Sequence, residues 1–151
     1  MNAYARFGLM ILSSTLVMYA LTYLTTYEAA HIYFSQTRAW MALLMGAAMA
    51  IIMLGFMRHM YKNKKANAAI FIGAAIVIAA SLWLVRSQET VDDVSYMRAM
   101  IPHHSIAIMT SERAHIRDPR VREMADAIIA TQRKEIGEME ALIVDLDRSE
   151  P

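Results

Sequence analysis

Two short segments of this 151-residue chain concentrate side chains able to hold a soft metal ion. Met97, Met100, His103 and His104 fall within eight residues, and Gln132, Glu135 and Met139 within another eight. The chain has no cysteine, which removes thiolate metal sites, disulfides and cysteine nucleophiles together. Thioethers and imidazoles without thiolates point to copper: methionine favours Cu(I), while His and Glu also suit Cu(II) or zinc. The competing chemistry is a hydrogen-bonded core. In it His104, Gln132 and Glu135 satisfy one another and the methionines fill space, because polar groups buried in an apolar seam cost stability unless paired.

Both segments lie in stretches with helical periodicity. Thr90-Val-Asp-Asp93 has the form of an amino-terminal capping motif, and a helix is expected from there to about Ile116. Asp118-Pro119 supplies a cap and a first-turn proline for a second helix reaching about Asp147. Pro102, inside the first helix, withholds an N–H from the Arg98 carbonyl and is expected to bend the helix beside His103 and His104.

Stepping each residue by about 100° puts Met97, Met100, His104, Ser111 and His115 near one face of the first helix. The same procedure puts Met124, Ile128, Gln132, Glu135, Met139, Leu142 and Leu146 on one face of the second. Folded into an antiparallel hairpin, His104 is expected opposite Gln132, Met100 opposite Glu135, and Met97 opposite Met139. His115 reads as a helix-end residue favourable to the dipole. Ile101, Ala125, Ile136 and Ile143 lie beside the main faces and offer a second apolar edge. That edge predicts a homodimer or higher even oligomer in which two hairpins complete a four-helix bundle.

The hairpin follows three apolar blocks. Residues 7–26 carry no charge, and neither do residues 39–57 or 68–85. At about 1.5 Å per residue each block is close to the roughly 30 Å needed to cross a bilayer. The expectation is an all-α membrane protein with a three-span transmembrane region at residues 1–86 and a two-helix hairpin domain at residues 90–148. In the second block Met41, Met45, Met49, Met53 and Met57 drift slowly around the helix, as a polarizable packing face or a soft-ligand track would. Gly46 and Ala50 permit close helix approach, as do Gly73 and Ala74 in the third block.

The net charge of +1 hides two opposite regions: +5 before residue 86 and −4 from Arg86 onward. Arg58, Lys62, Lys64 and Lys65 sit between the second and third blocks and assign that connection to the cytoplasm. The amino terminus is then cytoplasmic, and the hairpin lies on the periplasmic or extracytoplasmic side of the inner membrane. A basic excess confined to membrane flanks, beside an acidic tail, argues against a nucleic-acid partner.

Tyr96-Met-Arg-Ala-Met-Ile-Pro-His-His104, continuing Ser105-Ile-Ala-Ile-Met109, resembles the signature of the domain of unknown function 305 family. Ala130-Thr-Gln-Arg-Lys-Glu-Ile-Gly-Glu-Met139 is similar to its second signature, and the resemblance covers about residues 91–143. It implies a ferritin-like helical domain, commonly exported, with some members associated with copper. On the matching positions it implies Met100, His103, His104 and Met109 from the first helix, with Gln132, Glu135 and Met139 from the second. An aromatic residue common soon after the last Met is replaced here by Ala141-Leu142-Ile143.

The chain has no HExxH zinc motif, glycine-rich nucleotide loop or legible Ser-His-Asp order, so catalysis is not expected. The sequence points to a membrane-anchored copper protein that sequesters the ion or passes it to a membrane or metal-transfer partner. The alternative is a non-catalytic structural or assembly subunit of a membrane complex.

Overall fold

The computed structural model describes residues 2–149, which contain helices and no strand. They form two compact units. The first joins the residues up to Thr22 to Thr37–Thr90, and the second joins Tyr23–Gln36 to the chain from Val91 onward.

The first unit holds α1 (Ala3–Leu21), most of α2 (Gln36–Phe56) and α3 (Lys64–Ser87). All three helices are long and apolar enough to cross a membrane. They begin three or four residues before the apolar blocks do, and in α1 and α3 a polar cap draws flanking residues into the first turn. The Asn2 side chain accepts the Ala5 N–H at 2.7 Å, and that of Asn63 accepts those of Lys65 and Ala66. Gln88 closes α3 in the left-handed conformation, its N–H bonded to the Leu84 carbonyl.

Phe7, Ala50, Leu54 and Tyr61 form the unit's buried cluster, against which Met53 and Met57 pack. Met41 and Met45, about three and two turns before Met53, are exposed, so the methionine row does sweep around α2 as its spacing requires. Gly46 is needed where α2 meets α1: a Cβ there would collide with the Thr15 side chain.

In the second unit α4 (Asp93–Arg113) and α5 (Pro119–Ser149) pack along one another. Arg98 near the start of α4 pairs with Asp147 near the end of α5, and Arg122 near the start of α5 donates to the Ser111 carbonyl near the end of α4. The hairpin is therefore antiparallel. Asp118 and Pro119 start α5 as expected, with the Asp118 carboxylate accepting the Arg120 N–H at 2.9 Å.

Asp92, not Thr90, caps α4: its carboxylate accepts the Ser95 N–H at 2.7 Å, and an anion at this position also suits the helix dipole. α4 ends at Arg113, three residues early, which leaves His115 exposed in the connection and gives the dipole-favourable last turn to Arg113 instead. Pro102 is fully buried and α4 continues through it as helix.

The seam corrects the expected faces. Met97, Ile101, Ile108, Ile136 and Ile143 are its buried core, with Val94, Ile129, Met139 and Leu146 packed against it. Met124 and Leu142, expected inside, are 59% and 53% exposed. Val94, Met97, Ile101, His104 and Ile108 on α4 alternate by three and four residues. Ala125, Ile129, Gln132, Ile136, Met139, Ile143 and Leu146 on α5 do the same, which is the heptad spacing of two helices packed along their length. The edge formed by Ile101, Ala125, Ile136 and Ile143, assigned from sequence to a second hairpin, is thus consumed within one chain. The physical reason is burial: this rotation hides four isoleucines and leaves Glu135 at the margin.

A third layer was not expected. The α1–α2 connection, including a 3-10 turn at Ala29–His31, belongs to the second unit, and its Tyr27 and Tyr33 pack against the hairpin core.

Candidate functional site

Because α4 is covered on two sides, consecutive residues serve different surroundings. His104 faces the α5 side and Ser105 faces the connection. The imidazole of His104, 11% exposed, has both nitrogens engaged. Nδ1 lies 2.9 Å from the Met100 carbonyl, and Nε2 lies 2.8 Å from Glu135 Oε2. A carbonyl only accepts, so Nδ1 carries a proton, and the neutral ring then presents a lone pair at Nε2. Glu135 Oε2 is likewise an acceptor when ionised. The 2.8 Å contact between Nε2 and Oε2 is thus a hydrogen bond that one proton bridges, and the two lone pairs it joins are of the kind that can also face a cation. Gln132 Nε2 donates to the same oxygen at 3.4 Å, and the Glu135 side chain remains 43% exposed.

Met100, His104, Glu135 and Met139 line one cleft of about 350 Å³, together with Tyr96, Glu138 and Leu142. Four of the seven predicted ligands thus share a wall. Met97 is buried in the seam and borders an adjoining depression with Met139. Gln132 reaches the cleft through its bond to Glu135. His103 is exposed, its ring 6.1 Å from that of His104, and it does not line the cleft. Met109 lies outside it, two turns toward the helix end.

His104 meets Glu135 rather than Gln132, a shift of three residues along α5, and Gln132 bonds the same carboxylate. Tyr96 was missed, although its four-residue spacing to Met100 and His104 would have found it. Among the described residues no three His, Asp or Glu side chains gather as a metal-binding group. Any ion held here would depend on the thioethers.

On the other side of α4 the structure joins residues that sequence reasoning left apart. Ser105 is fully buried, and its Oγ accepts the Tyr27 N–H at 3.1 Å and the Glu28 N–H at 3.4 Å. It lies 3.0 Å from Nδ1 of buried His31. With two donors already on the oxygen, the serine proton is the group free to bond His31, which places the imidazole proton on Nε2, 3.9 Å from Glu28.

Ser105, His31 and Glu28 follow the order of a catalytic triad, but the oxygen is inaccessible and saturated by backbone donors. Its work is to hold the connection. Tyr27 Oη donates to Glu112 at 2.8 Å, which raises the phenol above its usual pKa, while Arg113 beside the ring opposes the shift. No spacing in the sequence joins residues 74 positions apart.

The family model for the domain of unknown function matches residues 88–151, which include the whole of α4 and α5. An uncharacterized protein of Acanthamoeba polyphaga mimivirus is 34% identical over 106 residues, covering 69% of this chain and 68% of that relative. That match is longer than the family segment, so the likeness extends into the part of the chain before residue 88. No solved structure matches. With both signatures folded against each other around His104 and Glu135, and with this relative aligned over two thirds of its length, the chain belongs to the domain of unknown function 305 family.

Proposed function

We propose that this chain is a membrane-anchored copper-binding protein whose hairpin takes up the ion outside the cytoplasmic membrane, to sequester it or pass it on without chemical turnover. The observation that carries the reading is the His104 imidazole. Its Nδ1 proton is held on a backbone carbonyl, as in histidines that ligate through Nε2, and that nitrogen lies 2.8 Å from a carboxylate oxygen, which supports the reading. Met100 and Met139 line the same cleft and supply the soft donors that favour Cu(I) over zinc. His104, Met100 and Met139 would hold the ion, and Glu135 would exchange its shared proton for it. The basic α2–α3 connection supports a cytoplasmic position for itself and hence an extracytoplasmic hairpin.

A second copy laid over exposed Tyr96 and Leu142 would cover the cleft and complete a ferritin-like four-helix bundle. This homodimer replaces the one expected through Ile136 and Ile143.

The test is metal analysis of detergent-purified full-length protein after anaerobic copper exposure with zinc and iron competitors. Near-stoichiometric copper is expected. It should be lost in His104→Ala and in Met100→Leu/Met139→Leu, and retained in His103→Ala. The second reading, a structural or assembly subunit, is favoured by the way His104, Glu135 and Gln132 satisfy one another without a metal. Intact protein that retains no copper would establish it over the first.

A further inference from the structure

We propose that the end of the first unit built from the start of α1 and the α2–α3 connection binds the phosphate headgroups of anionic phospholipids. Arg6, Arg58, Lys62, Lys64 and Lys65 are all exposed there, and none forms an ion pair among the described residues. The unit's one carboxylate, Glu89, follows the opposite end of α3, so no carboxylate of this unit neutralises the five cations.

The cations stand on an ordered rim. Tyr4 Oη accepts the Asn63 N–H at 3.0 Å and donates to Asn67 Oδ1 at 2.9 Å, and Asn67 Nδ2 donates to the Tyr61 carbonyl at 2.7 Å. Tyr61 is buried, its ring 5.1 Å from that of Tyr4 and 5.4 Å from that of Phe7. This network pins the connection that carries four of the cations to the first turn of α1, which carries the fifth. Asn63 occupies two first-turn amides of α3, so the attraction comes from side-chain charge and not from the helix terminus.

The partner's chemistry follows from the neighbours. Phe56 and Met60, 83% and 57% exposed, flank the cations at the end of helices apolar enough to span a membrane. A ligand matching both features carries an anionic group beside hydrocarbon, as a phospholipid does and a free anion does not. The inference rests on the spanning part of the proposed function and is independent of copper.

The experiment reconstitutes full-length protein into vesicles containing equal phosphatidylglycerol and phosphatidylcholine and measures which lipid co-purifies after mild detergent extraction. A basic side chain near a membrane surface multiplies anionic-lipid affinity about fivefold. Lys62→Gln/Lys64→Gln/Lys65→Gln should therefore lower phosphatidylglycerol enrichment on the order of a hundredfold. The corresponding triple Lys→Arg variant should retain it, with unchanged helicity in both. Enrichment should also fall as salt rises. Equal retention of the two lipids by the intact protein, or displacement of the lipid by millimolar inorganic phosphate, would overturn the proposal. Failure of the protein to enter vesicles at all would instead overturn the spanning reading on which it rests.

Discussion

Replacing Ser105 with alanine isolates what the serine oxygen does for the α1–α2 connection. The change removes one atom from a fully buried position and leaves helix propensity intact or improved, so packing and α4 itself should survive. What is lost is the acceptor for the Tyr27 and Glu28 N–H groups and the donor to His31 Nδ1. A buried polar group stripped of its partner costs roughly 1–3 kcal/mol. The Glu28 contact is long and its residue exposed, so the Tyr27 amide and the His31 nitrogen dominate, giving about 2–3 kcal/mol. That energy should appear as local opening rather than global unfolding. Amide exchange followed by mass spectrometry should show residues 27–35 exchanging about 30- to 150-fold faster, with α1 and α3 unchanged. Copper retention should be unaffected, because Ser105 faces away from the cleft. Exchange in that segment within threefold of the wild-type rate would refute the assignment of Ser105 as the anchor of the connection.

The corrected seam makes a contrast: Ile136→Ala should cost about 2–5 kcal/mol by thermal or denaturant unfolding, whereas Met124→Ala, at an exposed position, should change stability by about 0.5 kcal/mol or less. The reverse order would restore the face first read from the sequence. Gly46→Ala should destabilise the first unit by about 1–3 kcal/mol, measured as a thermal shift in detergent, and Thr15→Ala should rescue it. Bonds from Arg120 hold the Asp118 carboxyl below its ordinary value of 3.8. A depressed carboxylate contributes stability above its unfolded pKa and loses it as pH falls through the folded one, so the start of α5 should stay protected at pH 5 and fray on acidification below about 4. Exchange at residues 119–122 followed against pH checks this, and Asp118→Ala should abolish the transition.

What the sequence made legible were features carried by one residue type or one short spacing. Three charge-free runs announce three apolar helices because each charge in such a run would be costly in lipid. Asp118-Pro119 announces a helix start because cap and proline act within one turn. The rotation of α5 was harder, since Met124 and Leu142 are as apolar as Ile129 and Ile136, and a 100° wheel with a broad stripe accommodates either face. The strict three-four repeat from Ala125 to Leu146 decides it, but only once the partner helix is known to run alongside. The cluster of Ser105, His31 and Tyr27 was illegible for a different reason. Its bonds join backbone groups of an aperiodic connection to a hydroxyl far along the chain, and such pairings exist only in the folded state.

The placement of Glu135 bears on why a histidine sits in a heptad seam at all. An apolar residue at position 104 would pack without a proton to accommodate, so the seam gains nothing in burial from His104. Had α5 turned so that Glu135 faced the core, its carboxylate would have had to be desolvated, at a cost of several kcal/mol in proteins. At the margin it keeps 43% of its side chain in solvent and still reaches Nε2 at 2.8 Å. The pair therefore opens on a cleft that Met100 and Met139 also line, and under the proposed function an ion would reach it without the hairpin opening. A polar pair selected only to order the helices has no need of that access. Glu135→Gln separates the two demands. The amide can still accept or donate across the same distance, so helix packing should persist, but the negative charge that offsets a cation is gone. Copper affinity that falls while the melting temperature holds would mark the pair as an ion-exchange site, and a fall in both together would mark it as a structural one.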